Sequence, residues 1–258
     1  MNNDLLEFIM LTLTFLGLGV FVYLFTQKLN FKYAEQQFPD VQKTSTYALV
    51  ALFVGWVAVS GLFWLFAMLG DSGGEPQEYR FGNVISQVIV SGLFFGPSLF
   101  MLRWRKETWS SSGVTKHNLG KSLLLGLVLS IFYFTFNIIA KKLDFGNMLV
   151  SLTPSHFWAL ATFLVVGISE EFGFRGYLQT RLVSWLGKVL GWVVASVIMA
   201  LAHIAQRITI MGMSGTNAII DSLALIPISL LLGYIMIRTE NVIAGSLFHA
   251  VIDWSSVF

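Results

Sequence analysis

The chain has 258 residues, of which 55% are hydrophobic and 12% charged, with a net charge of +2, a mean hydropathy of +0.73 and no cysteine. Soluble globular domains carry about 25% charged residues, so a surface this poor in charge has lipid rather than water as its solvent. The sparse Lys and Arg form no basic face for nucleic acid, and the lack of cysteine excludes disulfides, thiolate nucleophiles and Cys-ligated zinc.

Eight apolar runs follow one another, over residues 5–26, 47–69, 83–102, 122–140, 157–181, 189–206, 216–237 and 241–257. Each approaches the roughly 20 residues that a helix needs to cross about 30 Å of hydrocarbon, and none shows the alternation of a membrane barrel strand. The expected fold is all-α, a polytopic membrane bundle of about eight transmembrane helices. The segment before the first run, Met1 to Asp4, has no positive charge, and no small-residue cleavage site follows that run, so it reads as a retained helix. The gaps carry turn chemistry, as in Asp71-Ser72-Gly73-Gly74-Glu75-Pro76 and Ser110-Ser111-Ser112-Gly113, and none is long enough for a soluble unit. Residues 1–258 are expected to form a single integral membrane domain, with the chemistry in 165–258.

Basic residues are unevenly shared between the two ends of such a bundle. Lys28, Lys32, Lys43, Arg103, Arg105, Lys106, Lys116, Lys121, Arg175, Arg181, Lys188 and Arg238 lie in or near odd-numbered connections. Only Arg80, Lys141, Lys142 and Arg207 fall on the other side. The positive-inside rule therefore puts the odd connections in the cytoplasm and both termini outside.

The fifth run is interrupted by Ser169-Glu170-Glu171-Phe172-Gly173-Phe174-Arg175. Ionisable groups at this depth cost several kcal/mol unless they are paired or hydrated. Glu171 and Arg175, four apart, share a helical face and read as a structural ion pair. Glu170 is turned about 100° from them and has no such excuse, which marks it as a functional carboxylate. His203 ends the sixth run, and His249 and Asp253 lie four apart in the eighth. Counted at about 1.5 Å per residue from the nearest basic marker, Glu170 and His249 lie about 16 Å deep, and His203 and Asp253 about 22 Å. Four groups from three helices thus share one layer near the bilayer middle. His117 and His156, in a loop and at a helix end, are given no role. Gln87, Ser91, Asn137 and Asp221 read equally well as interhelical hydrogen bonders or as site residues.

With these residues the sequence resembles the CPBP family of membrane peptidases, which includes the type II CAAX prenyl endopeptidases and many bacterial members linked to bacteriocin processing and immunity. The resemblance rests on an EExxxR motif at Glu170, Glu171 and Arg175 followed by Gly176-Tyr177-Leu178-Gln179, on His203 closing the next helix, and on an HxxxD motif at His249 and Asp253. It covers about residues 165–258; residues 1–150 match only as apolar helices. Met199 stands where the family's second motif usually has an aromatic residue, a change that keeps an apolar packing position. Asp253 stands where the eukaryotic prenyl endopeptidases have Asn, and an ionised Asp cannot donate to an oxyanion, so it must be protonated or serve to orient His249.

The resemblance implies a glutamate-dependent, CAAX-type endopeptidase of a multi-pass protein, set in a bacterial cell membrane. Glu170 and His203 would activate a water against a peptide carbonyl, His249 and Asp253 would stabilise the oxyanion, and Glu171 and Arg175 would support the helix. The implied partners are a protein or peptide substrate and the lipid bilayer. No cofactor is expected, with a zinc site on Glu170, His203 and His249 kept as an alternative. The wet cavity that hydrolysis needs is expected to open toward the cytoplasm. The competing class is a non-catalytic immunity factor, scaffold or regulator that binds a partner through the same polar cavity. A transporter is less favoured because paired repeats and broken helices are not evident.

Overall fold

The structure, a computed structural model, describes residues 3–32, 38–69, 78–141 and 145–258, so the Asp71–Pro76 turn and Lys142 lie outside the described residues. Helices α1 (Asn3–Lys28), α2 (Val41–Met68), α3 (Phe81–Trp104) and α4 (Leu119–Ala140) are each continuous, and short α5 (Phe145–Val150) leads into α6 (Pro154–Glu170). A π-helix (Glu171–Gln179) and α7 (Thr180–Leu186) extend α6 without a break. Then come α8 (Lys188–Ala202), α9 (Ile204–Thr209), α10 (Gly215–Leu223), α11 (Ile226–Thr239) and α12 (Val242–Trp254).

Among the described residues, seven helical segments are long and apolar enough to cross a membrane, and α12 with its terminal turn makes a shorter eighth. The protein is thus an all-α, multi-pass membrane bundle. Large side chains such as Leu16, Phe53, Trp64, Phe100 and Ile131 stay exposed on its outside, as lipid-facing residues do.

Two runs that read as continuous are broken. Backbone turns at His203 and at Ala224–Leu225 separate α8 from α9 and α10 from α11. Both breaks fall in adjacent helices of the second half while α1–α4 are unbroken, a pattern unlike the paired breaks of inverted-repeat transporters.

Helix α12 sits between α4 and α6, which needs small residues at the crossings. A Cβ on Gly167 of α6 would lie 2.5 Å from the Ser246 carbonyl oxygen, and one on Gly126 of α4 would lie 3.0 Å from Ala244. Helix α3 lies between α2 and α6, and α1 rests on α11. Two apolar clusters result: Phe15, Leu129, Leu232 and Phe248 pack one side of α12, and Leu52, Phe95, Phe174 and Met199 pack the other side of the π-helix.

The basic end of the bundle is closed by hydrogen bonds between segments distant in sequence. Arg181, fully buried, contacts Glu107 and donates from Nη1 to Ser112 Oγ (3.3 Å), while Arg105 donates to Glu107 (2.8 Å) and to Thr44 (2.9 Å). The Asn241 side-chain amide donates to the carbonyls of Thr115 (2.8 Å) and His117 (3.0 Å), and that of Asn118 to those of Lys32 (2.8 Å) and Thr239 (3.1 Å). His117 belongs to this cap, with Nε2 2.7 Å from the Lys32 carbonyl oxygen.

Candidate active site

Glu170 is the last residue of α6, and the backbone widens into the π-helix immediately after it. Such wide turns are uncommon and concentrate at functional sites. Here the turn is pressed against its neighbours: a Cβ on Gly173 would lie 1.9 Å from the Phe95 ring, and one on Gly176 2.2 Å from the Ser112 carbonyl oxygen.

Glu171 and Arg175 form the pair that their spacing predicts, Oε1 to Nη1 3.2 Å, with both side chains 2% exposed. Arg175 also donates to Ser229 Oγ (3.2 Å), which donates in turn to the Ser196 carbonyl (3.2 Å), so the charge is embedded in a polar chain rather than in hydrocarbon. Glu171 does more than this pairing. Its Oε1 is 3.1 Å from His249 Nδ1, where a carboxylate accepts the ring N–H. The close approach uses Gly245, whose Cβ would lie 2.7 Å from Glu171 Oε2. The partner that orients the His249 ring at Nδ1 is therefore Glu171. Asp253 faces the other nitrogen, with Oδ2 3.5 Å from Nε2.

The two Glu170 oxygens face different imidazoles. Oε1 lies 3.8 Å from His203 Nε2 and Oε2 4.0 Å from His249 Nε2, distances too long for direct hydrogen bonds. Oε2 is buried and makes no hydrogen bond among the described residues. His203 occupies the turn between α8 and α9, and its Nδ1 donates to the Met199 carbonyl (2.9 Å), since a carbonyl oxygen can only accept. A neutral His203 thus turns the lone pair of Nε2 toward Glu170. All six residues singled out from the sequence come together, Glu170, His203, His249 and Asp253 around one space and Glu171 with Arg175 directly behind it.

That space is a cavity of about 730 Å³ lined by Glu170, His203, His249 and Asp253. A smaller one of about 110 Å³ also touches Glu170 and His203 and contains Gln87, Ser91 and Ser169, whose hydroxyls are 2.9 Å apart. The mouth of the large cavity differs from expectation. It runs from the Glu170 layer past Asn83, Asn137, Lys141, Met211 and Ser256, all at the end opposite the basic cap. Among the lining residues, Tyr79, Tyr133 and Gln206 have no composition signal, while Lys141 and Arg207 stand out in the sequence only as basic residues of the sparser side. Arg207 pairs with Asp221, which accounts for that acid. His156 lies at the start of α6 and accepts from the Thr153 backbone N–H (3.1 Å). For the zinc alternative, the geometry gives no support: among the described residues no group of three or more His, Asp or Glu side chains is arranged to hold a metal ion.

Residues 152–255 match the family model described as Type II CAAX prenyl endopeptidase Rce1-like, so the resemblance drawn from the motifs holds over the segment that carries them. No curated protein and no solved structure matches the chain.

Proposed function

With residues 152–255 carrying an Rce1-like type II CAAX prenyl endopeptidase domain, we propose that the protein is a glutamate-dependent intramembrane peptidase. It would hydrolyse a peptide bond of a membrane-associated protein or peptide. The helices before residue 152 are read as part of the same membrane domain, because α3 and α4 line the cavity together with α6, α8 and α12.

The observation that carries the reading is the Glu170 carboxylate, whose Oε2 is buried yet without a hydrogen bond among the described residues and whose Oε1 lies 3.8 Å from His203 Nε2. Both facing atoms accept hydrogen bonds. One water between them donates a hydrogen to each and leaves an oxygen lone pair free for the cavity. As that oxygen bonds to a peptide carbonyl carbon, its proton passes to Glu170 and the carbonyl electron pair moves onto its oxygen. Glu170 then returns the proton to the amide nitrogen as the C–N bond breaks. His249 in its doubly protonated form donates Nδ1–H to Glu171 and offers Nε2–H to the oxyanion, and Asp253 keeps that second N–H aimed until the substrate carbonyl arrives.

The test uses protein reconstituted in liposomes and offered prenylated and unmodified peptides, with products read by mass spectrometry. Glu170→Gln keeps the shape and removes the base, so product should vanish while the melting temperature holds. Undiminished product from Glu170→Gln would remove the reading. If the parent binds a polypeptide without cutting it, and Glu170 and His203 variants keep the cellular phenotype, the non-catalytic immunity, scaffold or regulator role takes its place.

A further inference from the structure

The large cavity is polar at its floor and open at one end, and the lining shows which. Helices α3 and α11 and the continuous span that α6 begins contribute their first halves, and α4, α8 and α12 their last parts, from Asn83 and Thr162 to Lys141, Met211 and Ser256. These segments belong to one end of the bundle. The Tyr79 N–H donates to Ser155 Oγ (2.8 Å), Lys141 Nζ to the Ser255 carbonyl (3.1 Å) and Trp254 Nε1 to the His156 carbonyl (2.9 Å). The opposite end contributes no lining residue; there Arg181, Glu107, Asn118 and Asn241 knit the connections together.

Charge assigns each end to a side of the membrane. Arg175 is sunk in the bundle against Glu171, which leaves, among the described residues, eleven Lys and Arg at or near the closed end against three at the open one. All the connections are short, the condition under which this bias sets orientation. The closed end is therefore cytoplasmic, and the open end faces away from the cytoplasm.

We infer that the Glu170 site is entered from the non-cytoplasmic side, and that it serves an extended polypeptide segment already at that face: an exported chain or the outward loop of a membrane protein. The nature of the substrate rests on the peptidase reading, whereas the side of entry rests on cavity and charge alone. A segment entering there passes lining residues such as Lys141 and Met211 before its backbone reaches the Glu170 layer. A cytoplasmic chain would have to unpick the Arg181 and Asn241 cap to reach the same floor.

The chain has no cysteine, so single thiols report position without interference. Ser256→Cys and Asn137→Cys mark the mouth and the cavity wall, and Ser110→Cys and Lys116→Cys mark the closed end. In right-side-out vesicles, a membrane-impermeant maleimide should modify the first two at once and the last two only after permeabilisation. The reverse pattern, or reaction of both pairs from one side, overturns the inference, as does an Asn137→Cys that reacts only once the membrane is dissolved. Thiol reactivity needs no turnover, so this result and the Glu170→Gln assay fail independently.

Discussion

The two ends of this bundle solve the same problem in opposite ways. At the basic end, polar and charged side chains are satisfied by other parts of the protein: Arg181 by Glu107 and Ser112, Asn241 by two carbonyls, Asn118 by two more. At the other end, Glu170 faces His203 and His249 at 3.8 and 4.0 Å across a cavity, too far for direct hydrogen bonds. Polar groups at membrane depth are affordable under either arrangement, but only the second leaves a reactive atom free. The contrast predicts that the open end tolerates substitution structurally and loses chemistry, whereas the cap behaves the other way.

Glu170→Gln should give the largest effect, a loss of peptide cleavage of about 10²–10⁴-fold, as for removal of a general base, with the unfolding temperature in detergent unchanged. Arg181→Ala should invert that pattern. It removes the fully buried cation of the cap and leaves Glu107 to Arg105 alone, a cost of about 1–3 kcal/mol seen as a lower unfolding midpoint, while the cleavage rate per folded molecule stays near that of the parent. Glu171→Gln weakens the charge-assisted bond to His249 and should slow turnover by about 10–100-fold. As a positioning change it should lower kcat more than it raises KM. Gly167→Ala forces α6 from the Ser246 carbonyl of α12 and should cost about 1–3 kcal/mol of stability, with a fall in cleavage because Glu170 moves away from His249. Asp253→Asn keeps a polar group beside His249 Nε2 and should change cleavage the least, by less than about tenfold. An Asp253→Asn loss as large as that of Glu170→Gln would make Asp253 a proton-transfer group instead.

The helices were legible because lipid imposes a single demand, long apolar runs, on every span. Glu170, His203, His249 and Asp253 were legible for the same reason inverted, since ionisable side chains stand out against such a background. What sequence did not carry was geometry without a composition signal. Ala202-His203-Ile204 contains neither Gly nor Pro, yet the backbone turns there and aims the ring at Glu170. Pro227 sat as an available hint for the break before α11. The π-helix was invisible because Glu171 and Arg175 meet four residues apart in it as they would in an α-helix. The cap joins residues more than a hundred positions apart, as Asn118 and Thr239 do, and periodicity cannot report that. Depth along each helix could be counted, but not the end of the bundle toward which the cavity lining runs.

The wide turn after Glu170 ties those two ends together. An α-helix advances about 100° with each residue, so a stretch with more residues per turn resets the phase of everything beyond it. Upstream, the register delivers Glu170 to the imidazoles; downstream, it delivers Arg181 to Glu107. Ordinary α-winding imposed on the same nine residues would rotate Arg181 by well over a quarter of a turn relative to Glu170, and the two side chains could no longer both meet their partners. The segment acts as a rotary coupling, set by its winding rather than by the identity of each residue within it.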